Sequence, residues 1–158
     1  MREFIFEHLD FVRNQTMNIL HQVSDAEAEM IPEGINNHIK WNAGHIYYTL
    51  ESFAFVVNGE PAELPEAYRE LFQSGSKPRE FKGAWPSMEE IIQHLEGQVR
   101  RIEERYAHRL QEAVKSPYTT SKGLKLTTVE EFLSFCLYHE GMHFDKIKTI
   151  LNRVTYVK

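Results

Sequence analysis

The amino-acid sequence predicts an all-α protein, a four-helix bundle with a long crossover between helices 2 and 3. Four long segments place apolar residues three and four positions apart, which is the spacing of one helix face. Capping residues or chain-breaking prolines and glycines flank these segments. A length of 158 residues is enough to bury one hydrophobic core, so we expect a single domain over residues 1–158.

The first predicted helix covers residues 2–22. Its inward face is expected to consist of Ile5, Leu9, Val12, Thr16, Ile19 and Val23. Ser24 and Asp25 indicate the start of a new turn, and Pro32 and Gly34 then end the helical pattern.

The second predicted helix covers residues 38–57. Asn36 or Asn37 is expected to cap its N-terminus, and Asn58 followed by Gly59 is typical of a helix stop. Its apolar residues are Ile39, Ala43, Ile46, Leu50, Phe53 and Val57.

The third predicted helix begins after Pro86. Ser87 and Glu90 have the spacing of a capping box, in which each side chain bonds the other residue's backbone N–H. The inward face consists of Met88, Ile92, Leu95, Val99, Ile102 and Tyr106.

The fourth predicted helix begins at Thr127 or Thr128, because each is followed three residues later by a glutamate. It runs to about residue 153. The inward face consists of Phe132, Phe135, His139, Met142, His143, Ile147 and Ile150.

Two connections are longer than a helical hairpin requires. Residues 60–86 contain four prolines and a short helix predicted at residues 66–72, and this length allows a crossover that leaves helices 2 and 3 parallel. Residues 114–126 predict a small β-hairpin around Lys122 and Gly123.

The composition excludes several classes of function. A net charge of −5 gives no long-range attraction for phosphate backbones, so we expect no nucleic-acid partner. The longest apolar run, residues 53–57, is far shorter than the roughly 18–20 residues that span a bilayer, and the N-terminus does not have the pattern of a signal peptide. The single cysteine, Cys136, allows no intrachain disulfide. We therefore expect a cytoplasmic protein with no membrane partner.

The strongest local motif is HEGMH at residues 139–143. His139 and His143 are four residues apart, so they share one helix face, and that face is the apolar one. Two buried imidazoles need polar partners. A shared metal ion would satisfy both, and so would separate hydrogen bonds to hydroxyl groups or water, and the spacing alone does not decide between these alternatives.

Two metalloenzyme classes with related motifs do not fit. HEGMH matches the H-E-x-x-H pattern of zinc proteases, with Glu140 as base, but residues 144–158 contain no His or Glu to supply a third ligand. Glu140 and His143 also match the E-x-x-H motif of di-iron bundles, but these need a second E-x-x-H, which the chain lacks.

A third ligand has to come from another helix. Six further histidines are available, namely His8, His21, His38, His45, His94 and His108. His45 lies within predicted helix 2, and polar groups including Asn42, Tyr48 and Thr49 share its face, as at the rim of a small pocket. A core histidine satisfied by hydrogen bonds is the alternative interpretation.

The segment NNHIKWNAGHI at residues 36–46, followed near the C-terminus by His139-x-x-x-His143, resembles the DinB/YfiT-like superfamily of metal-binding four-helix bundles. The resemblance covers nearly the whole chain in order and spacing. It implies that His45, His139 and His143 hold one divalent ion, zinc or nickel. Members often have Gly-Gln after the last histidine, whereas this chain has Phe144 and Asp145, a departure that bears on the surroundings of the site and on dimer packing.

The resemblance also implies a function. Relatives include thiol S-transferases that use low-molecular-weight thiols such as bacillithiol, so we expect a metal-dependent transferase acting on a small-molecule substrate. A bound metal lowers the pKa of a coordinated thiol or water. Asn42 and Tyr48 are the candidates for orienting substrate. Glu140 is a poor candidate for a base, because residue i+1 of a helix points about 100° away from the ligand face.

Two other functions stay open from the sequence. One is a metal-dependent hydrolase, and the other is a non-catalytic metal-binding protein of the stress response. Cys136 lies one turn before His139 and is interpreted as a packing residue rather than a nucleophile. The abundance of aromatic residues leads us to expect a homodimer, because a bundle of this size often buries one extra apolar face against a second copy.

Overall fold

The structure is a computed structural model that describes residues 1–156, and 62% of the chain is helical. The helices are α1 (Phe4–Leu20), α2 (Asp25–Ala28), α3 (Ile39–Ala54), α4 (Glu66–Phe72), α5 (Met88–Tyr106) and α6 (Val129–Tyr156), with 3-10 turns at Val56–Asn58 and Pro78–Glu80. Strands β1 (Ala113–Thr119) and β2 (Lys125–Thr128) pair antiparallel, which confirms the predicted hairpin. The all-α class is therefore confirmed in its coarse form. The last two residues of the predicted domain 1–158 lie outside the described part of the chain.

The N-terminus of α3 differs from the prediction. Its cap is His38, whose Nδ1 accepts a hydrogen bond from the backbone N–H of Trp41 at 2.9 Å, so neither Asn36 nor Asn37 is the cap. An imidazole nitrogen has the acceptor lone pair that a capping asparagine would otherwise supply. At the other end Gly59 adopts a left-handed conformation with φ of 66°, as the predicted stop requires.

The other two long helices begin at the predicted caps. The Ser87 hydroxyl accepts a hydrogen bond from the N–H of Glu90 at the start of α5. At the start of α6 the Thr128 hydroxyl accepts from the N–H of Glu131, and the Glu131 carboxylate accepts from the N–H of Thr128. This reciprocal pair is a capping box, so Thr128 is the cap of α6.

Helices α3 and α5 run in the same direction. The Gln98 side chain donates to the carbonyl oxygen of Tyr47, and Arg101 donates to Glu51 one turn further along both helices. Residues 60–86, including α4, therefore return the chain to the end of the molecule at which α3 began. Helix α6 runs the opposite way to α3, because Asn42 contacts His143 early in α3 whereas Phe53 contacts Phe132 late in it.

The inward face of α1 is rotated relative to the prediction. The structure buries Phe6, Leu9, Arg13, Thr16, Met17 and Leu20, whereas Ile5, Val12 and Ile19 are only half-buried. The rotated face includes Arg13, whose buried charge is neutralised by an acidic partner on α6. Met142 of α6, predicted to face inward, is 37% exposed.

Two apolar clusters form the core. One contains Met17 and Leu20 of α1, Ile39, Ala43 and Ile46 of α3, Leu95 of α5 and Ile147, Ile150 and Val154 of α6. The other contains Phe6 and Leu9 of α1, Leu50 and Ala54 of α3, Val99 and Ile102 of α5 and Phe132, Leu133 and Cys136 of α6. On α1, α5 and α6 the buried polar residues lie between the two clusters in chain order, whereas on α3 the buried Asn42, His45 and Glu51 alternate with apolar residues of the clusters. These buried polar residues form a polar layer, and the site described next belongs to it.

Candidate metal centre

Three histidines from two helices meet in the polar layer. His45 comes from α3, and His139 and His143 come from successive turns of α6. One ring nitrogen from each lies within 4.8 Å of the others, and the Nε2 atoms of His45 and His139 are 3.0 Å apart. The three residues are 6%, 9% and 4% exposed, respectively. In the described part of the chain, this is the one group of three or more His, Cys, Asp or Glu residues with an arrangement able to hold a metal ion.

The partners of two of these histidines determine their tautomers. Nδ1 of His45 lies 2.6 Å from the carbonyl oxygen of Phe72, which can only accept, so this Nδ1 carries the proton. Nδ1 of His143 lies 2.8 Å from Oδ1 of Asn42. The Asn42 amide is oriented by its Nδ2, which donates to the carbonyl oxygen of His38, so Nδ1 of His143 is also the donor. Both rings are therefore left with an unprotonated Nε2.

This donor set fits a divalent metal ion. Metal-binding histidines usually donate their second ring N–H to a carbonyl or amide oxygen, as His45 and His143 do here. A zinc–nitrogen distance is about 2.1 Å, so two ligands of one ion lie at most about 4.2 Å apart. The 3.0 Å separation of the His45 and His139 nitrogens is within that limit, and the widest separation of 4.8 Å exceeds it by about 0.6 Å.

Burial keeps the three imidazoles neutral. Desolvation lowers the pKa of His45 below its usual value, and it lowers the pKa of His139 to about 3 and of His143 to about 2. The other histidines and the nearby Lys146 ammonium act in the same direction on His139 and His143. Neutral imidazole is the form that binds metal, so the site needs no proton release from these rings near neutral pH.

Packing from α4 and its flanking segments fixes the α3 side of the site. The Trp41 ring stacks on His45 with a centroid distance of 4.5 Å, and its Nε1 donates to the Ser76 hydroxyl. Gly44 lets the Phe72 ring lie directly against the α3 backbone, since a Cβ at this position would overlap that ring. This close approach brings the Phe72 carbonyl oxygen within hydrogen-bonding distance of His45.

Glu140 points away from the histidines. Its carboxylate accepts hydrogen bonds from the Arg13 guanidinium at 2.9 and 3.0 Å and from the Thr16 hydroxyl at 2.8 Å. Arg13 also donates to Gln98, and Gln98 donates to Glu51. This buried network joins α1, α6, α5 and α3. The Glu140 carboxylate, which belongs to the HEGMH motif, therefore makes its hydrogen bonds to structural residues.

The structure brings some of the residues predicted from the sequence to the histidine site and places others elsewhere. Asn42 contacts His143, and Tyr48 lies one turn after His45, half-buried, with its role still a prediction. Cys136 is buried, and burial raises the pKa of its thiol well above the usual value, which fits a packing residue. His108 is exposed and away from the site. The buried members Arg13, Gln98 and Glu51 were not singled out by their local sequence pattern.

Similarity to known proteins extends over most of the chain. A solved structure described as the conserved protein of locus from Enterococcus faecalis is similar in fold, with a TM-score of 0.70 over 98% of this chain and 97% of that chain. The two sequences are 16% identical, so this likeness shows the fold alone. No match was found among the curated proteins.

No helix in residues 1–156 is long and apolar enough to cross a membrane. The family model of the DinB superfamily matches residues 8–147, which is most of the chain, and the protein therefore belongs to the DinB superfamily.

Proposed function

We propose that this protein is a metal-dependent enzyme, a thiol-dependent S-transferase that holds one divalent ion, zinc or nickel, at His45, His139 and His143. The supporting observation is the convergence of three buried imidazoles, two of which have their Nδ1 protons held by Phe72 and Asn42. A site with three protein ligands keeps a position for an exogenous group, which is the usual layout of a catalytic site.

The proposed reaction forms a carbon–sulfur bond. A low-molecular-weight thiol such as bacillithiol loses its proton to solvent, its sulfur bonds to an electrophilic carbon, and the leaving group departs with the bonding electron pair. A divalent ion in this site would supply Lewis-acid stabilisation of the thiolate.

The chain's own residues position the site. The Asn42 side chain and the Phe72 carbonyl oxygen fix the orientations of His143 and His45, and the Trp41 ring covers one face of His45 and excludes water from it. Tyr48, half-buried one turn beyond His45, is proposed to orient the substrate. Asn42 acts on substrate indirectly in this proposal, because its amide is already engaged with His38 and His143.

We also propose how the protein is organised. The four long helices, with the crossover over residues 60–86, form a four-helix bundle. Phe4 and Phe11 of α1 and Tyr138 of α6 are exposed aromatic residues, and we propose that a second copy of the chain covers them in a homodimer. The proposed location is the cytoplasm, where low-molecular-weight thiols are kept reduced.

Metal analysis and thiol titration test the proposed function. Protein purified without an affinity tag should contain about one zinc or nickel ion per chain, and His139→Ala should lose it while the exposed-site control His108→Ala retains it. In calorimetric titrations a small thiol should bind the metal-loaded protein and not the metal-free protein. Full metal occupancy in His139→Ala would contradict the ligand assignment.

The same experiments separate the transferase from the other functions. A metal-loaded protein that binds no thiol would refute the transferase proposal while leaving the metal site intact. Turnover of simple esters or amides by that protein would then identify a hydrolase, and the absence of turnover would favour a non-catalytic metal-binding protein.

A further inference from the structure

A cavity of about 350 Å³ lies beside the histidine cluster, where the start of α3 meets the last turns of α6. Its polar lining consists of Asn36, Asn37, Asn42, Lys146, Thr149 and Arg153. Asn42 is shared with the histidine site, because its Oδ1 accepts the hydrogen bond from His143. One side chain therefore separates the cavity from a proposed metal ligand.

The lining of this cavity has positive charge and no carboxylate. Lys146 has no ion-pair partner among the residues that the structure describes. The Arg153 guanidinium donates to the carbonyl oxygen of Glu33 at 3.1 Å, and its five N–H groups leave further donors for a ligand. Two positive side chains without acidic neighbours in the lining are notable in a chain with a net charge of −5.

Two of the larger surface grooves differ from this cavity because their linings contain carboxylates. One is lined by Glu3, Glu112 and Glu130 together with Arg109, and the other by Glu130 and Glu131 together with Lys122 and Lys125. The carboxylates in these two linings oppose the attraction that the neighbouring cations have for an anion. The cavity beside Asn42 is therefore the better match for an anionic ligand.

The cavity is within reach of a ligand that also occupies the histidine site. Lys146 lies three residues after His143 on α6, so it is on the neighbouring turn and the same side of the helix. Three residues of helix correspond to an axial rise of about 4.5 Å. The Lys146 charge lowers the pKa of His45, His139 and His143, which is consistent with an ammonium group close to the cluster.

We propose that this cavity binds an oxyanion, a carboxylate or phosphate group, at the end of the thiol or substrate remote from its reacting atom. Lys146 and Arg153 supply the positive charge, and the amides of Asn36 and Asn37 supply additional N–H donors. The anion chemistry stands on the cavity alone, whereas its assignment to the same molecule as the reacting group rests on the proposed thiol-dependent function.

Matched ligands test the proposal by calorimetry on the zinc-loaded protein. Mercaptosuccinate carries a thiol and two carboxylates, and thioglycerol is an uncharged thiol of similar size. Mercaptosuccinate should bind about tenfold more tightly, the ratio expected for one or two partly exposed charge-assisted hydrogen bonds. The double variant Lys146→Gln/Arg153→Gln should bind the two thiols within about twofold of each other.

A matched control removes the same charge elsewhere. Lys122→Gln/Lys148→Gln changes two exposed lysines that do not line the cavity, and it should keep the wild-type preference for mercaptosuccinate. Direct chelation of the zinc by a carboxylate would persist in both double variants, so it cannot imitate the expected loss. An unchanged preference in Lys146→Gln/Arg153→Gln would overturn the proposal.

Ligands without a thiol separate this proposal from the proposed function. Succinate and inorganic phosphate, titrated against the metal-free protein, should shift the backbone amide resonances of Asn36, Asn37 and Thr149, and the ligand with the larger effect identifies the preferred oxyanion. Such shifts in a protein that binds no thiol would support the anion site while refuting the transferase. Thiol binding with no amide shift from either anion would support the transferase and refute the anion site.

Discussion

The Oδ1 atom of Asn42 lies 2.8 Å from Nδ1 of His143, and the amide that makes this contact is itself held by the carbonyl oxygen of His38. The residue that caps α3 therefore fixes, through Asn42, the tautomer of a histidine on α6. Oriented imidazoles bind metal more tightly because less conformational freedom is lost on binding. Asn42 is accordingly a positioning residue of the histidine site.

Replacing Asn42 with alanine should weaken metal binding. Loss of an orienting partner typically reduces metal affinity by about 10–100-fold, and we expect Asn42→Ala to fall in that range. Competition with a metal-binding indicator measures the affinity directly. The control Asn14→Ala removes an exposed asparagine of α1 and should leave the affinity unchanged. Equal affinities for the wild type and Asn42→Ala would show that the amide does not position His143.

The buried pair of Arg13 and Glu140 should matter for stability rather than for chemistry. Removing one partner leaves the other charge buried and uncompensated, which costs about 3–5 kcal/mol, so Arg13→Leu should lower the free energy of unfolding by that amount. The exposed pair of Lys77 and Glu80 provides the control, and Lys77→Ala should cost less than about 1 kcal/mol. Urea denaturation followed by circular dichroism measures both, and similar costs for the two variants would contradict this assignment.

The histidine cluster was accessible from the sequence because its signal is local. The spacing of His139 and His143 places them on one helix face, and the resemblance to the DinB/YfiT-like superfamily implies that His45 joins them. Arg13 was not accessible, because its partner Glu140 lies 127 residues away and a charged residue in an amphipathic helix normally faces solvent. The buried face of α1 includes Arg13, so its orientation could not be predicted for the same reason. The cap of α3 was missed because two asparagines, which are better caps on average, directly precede His38.

Gly44 should tolerate no side chain. A Cβ at Gly44 would overlap the Phe72 ring, so Gly44→Ala should destabilise the fold by about 1–3 kcal/mol and move the carbonyl oxygen that holds His45. Gly97 of α5 has open space around its Cα, and Gly97→Ala should instead stabilise the helix by up to about 1 kcal/mol. Thermal melts of the two variants should therefore shift in opposite directions. A stabilised Gly44→Ala variant would mean that Phe72 does not pack as described.

The metal-free protein should lose stability as the pH falls below about 6.5. Burial lowers the pKa of His139 to about 3 and of His143 to about 2, so between about pH 6.5 and 3 the unfolded chain binds more protons than the folded chain. Each such histidine destabilises the fold by up to about 2 kcal/mol between pH 7 and pH 5. His139→Leu should reduce this loss in urea titrations, and the exposed control His108→Gln should not. A wild-type pH dependence in His139→Leu would argue against a neutral buried His139.

Removing the metal should leave the fold in place. The two apolar clusters and the network of Arg13, Glu140, Gln98 and Glu51 connect the four long helices without using the three histidines, so a core remains when the ion is chelated. When the free ion concentration is one hundred times the dissociation constant, binding adds about 2.7 kcal/mol to the free energy of unfolding. This corresponds to roughly 5–10 °C in melting temperature for a chain of this size. Chelator should therefore lower the melting temperature of the wild type by about that amount. The helical circular dichroism signal at 25 °C should persist, and His139→Ala should melt alike with and without chelator. Complete unfolding on chelation would instead show that the metal is structural, and that the three histidines stabilise the fold through it rather than take part in a reaction.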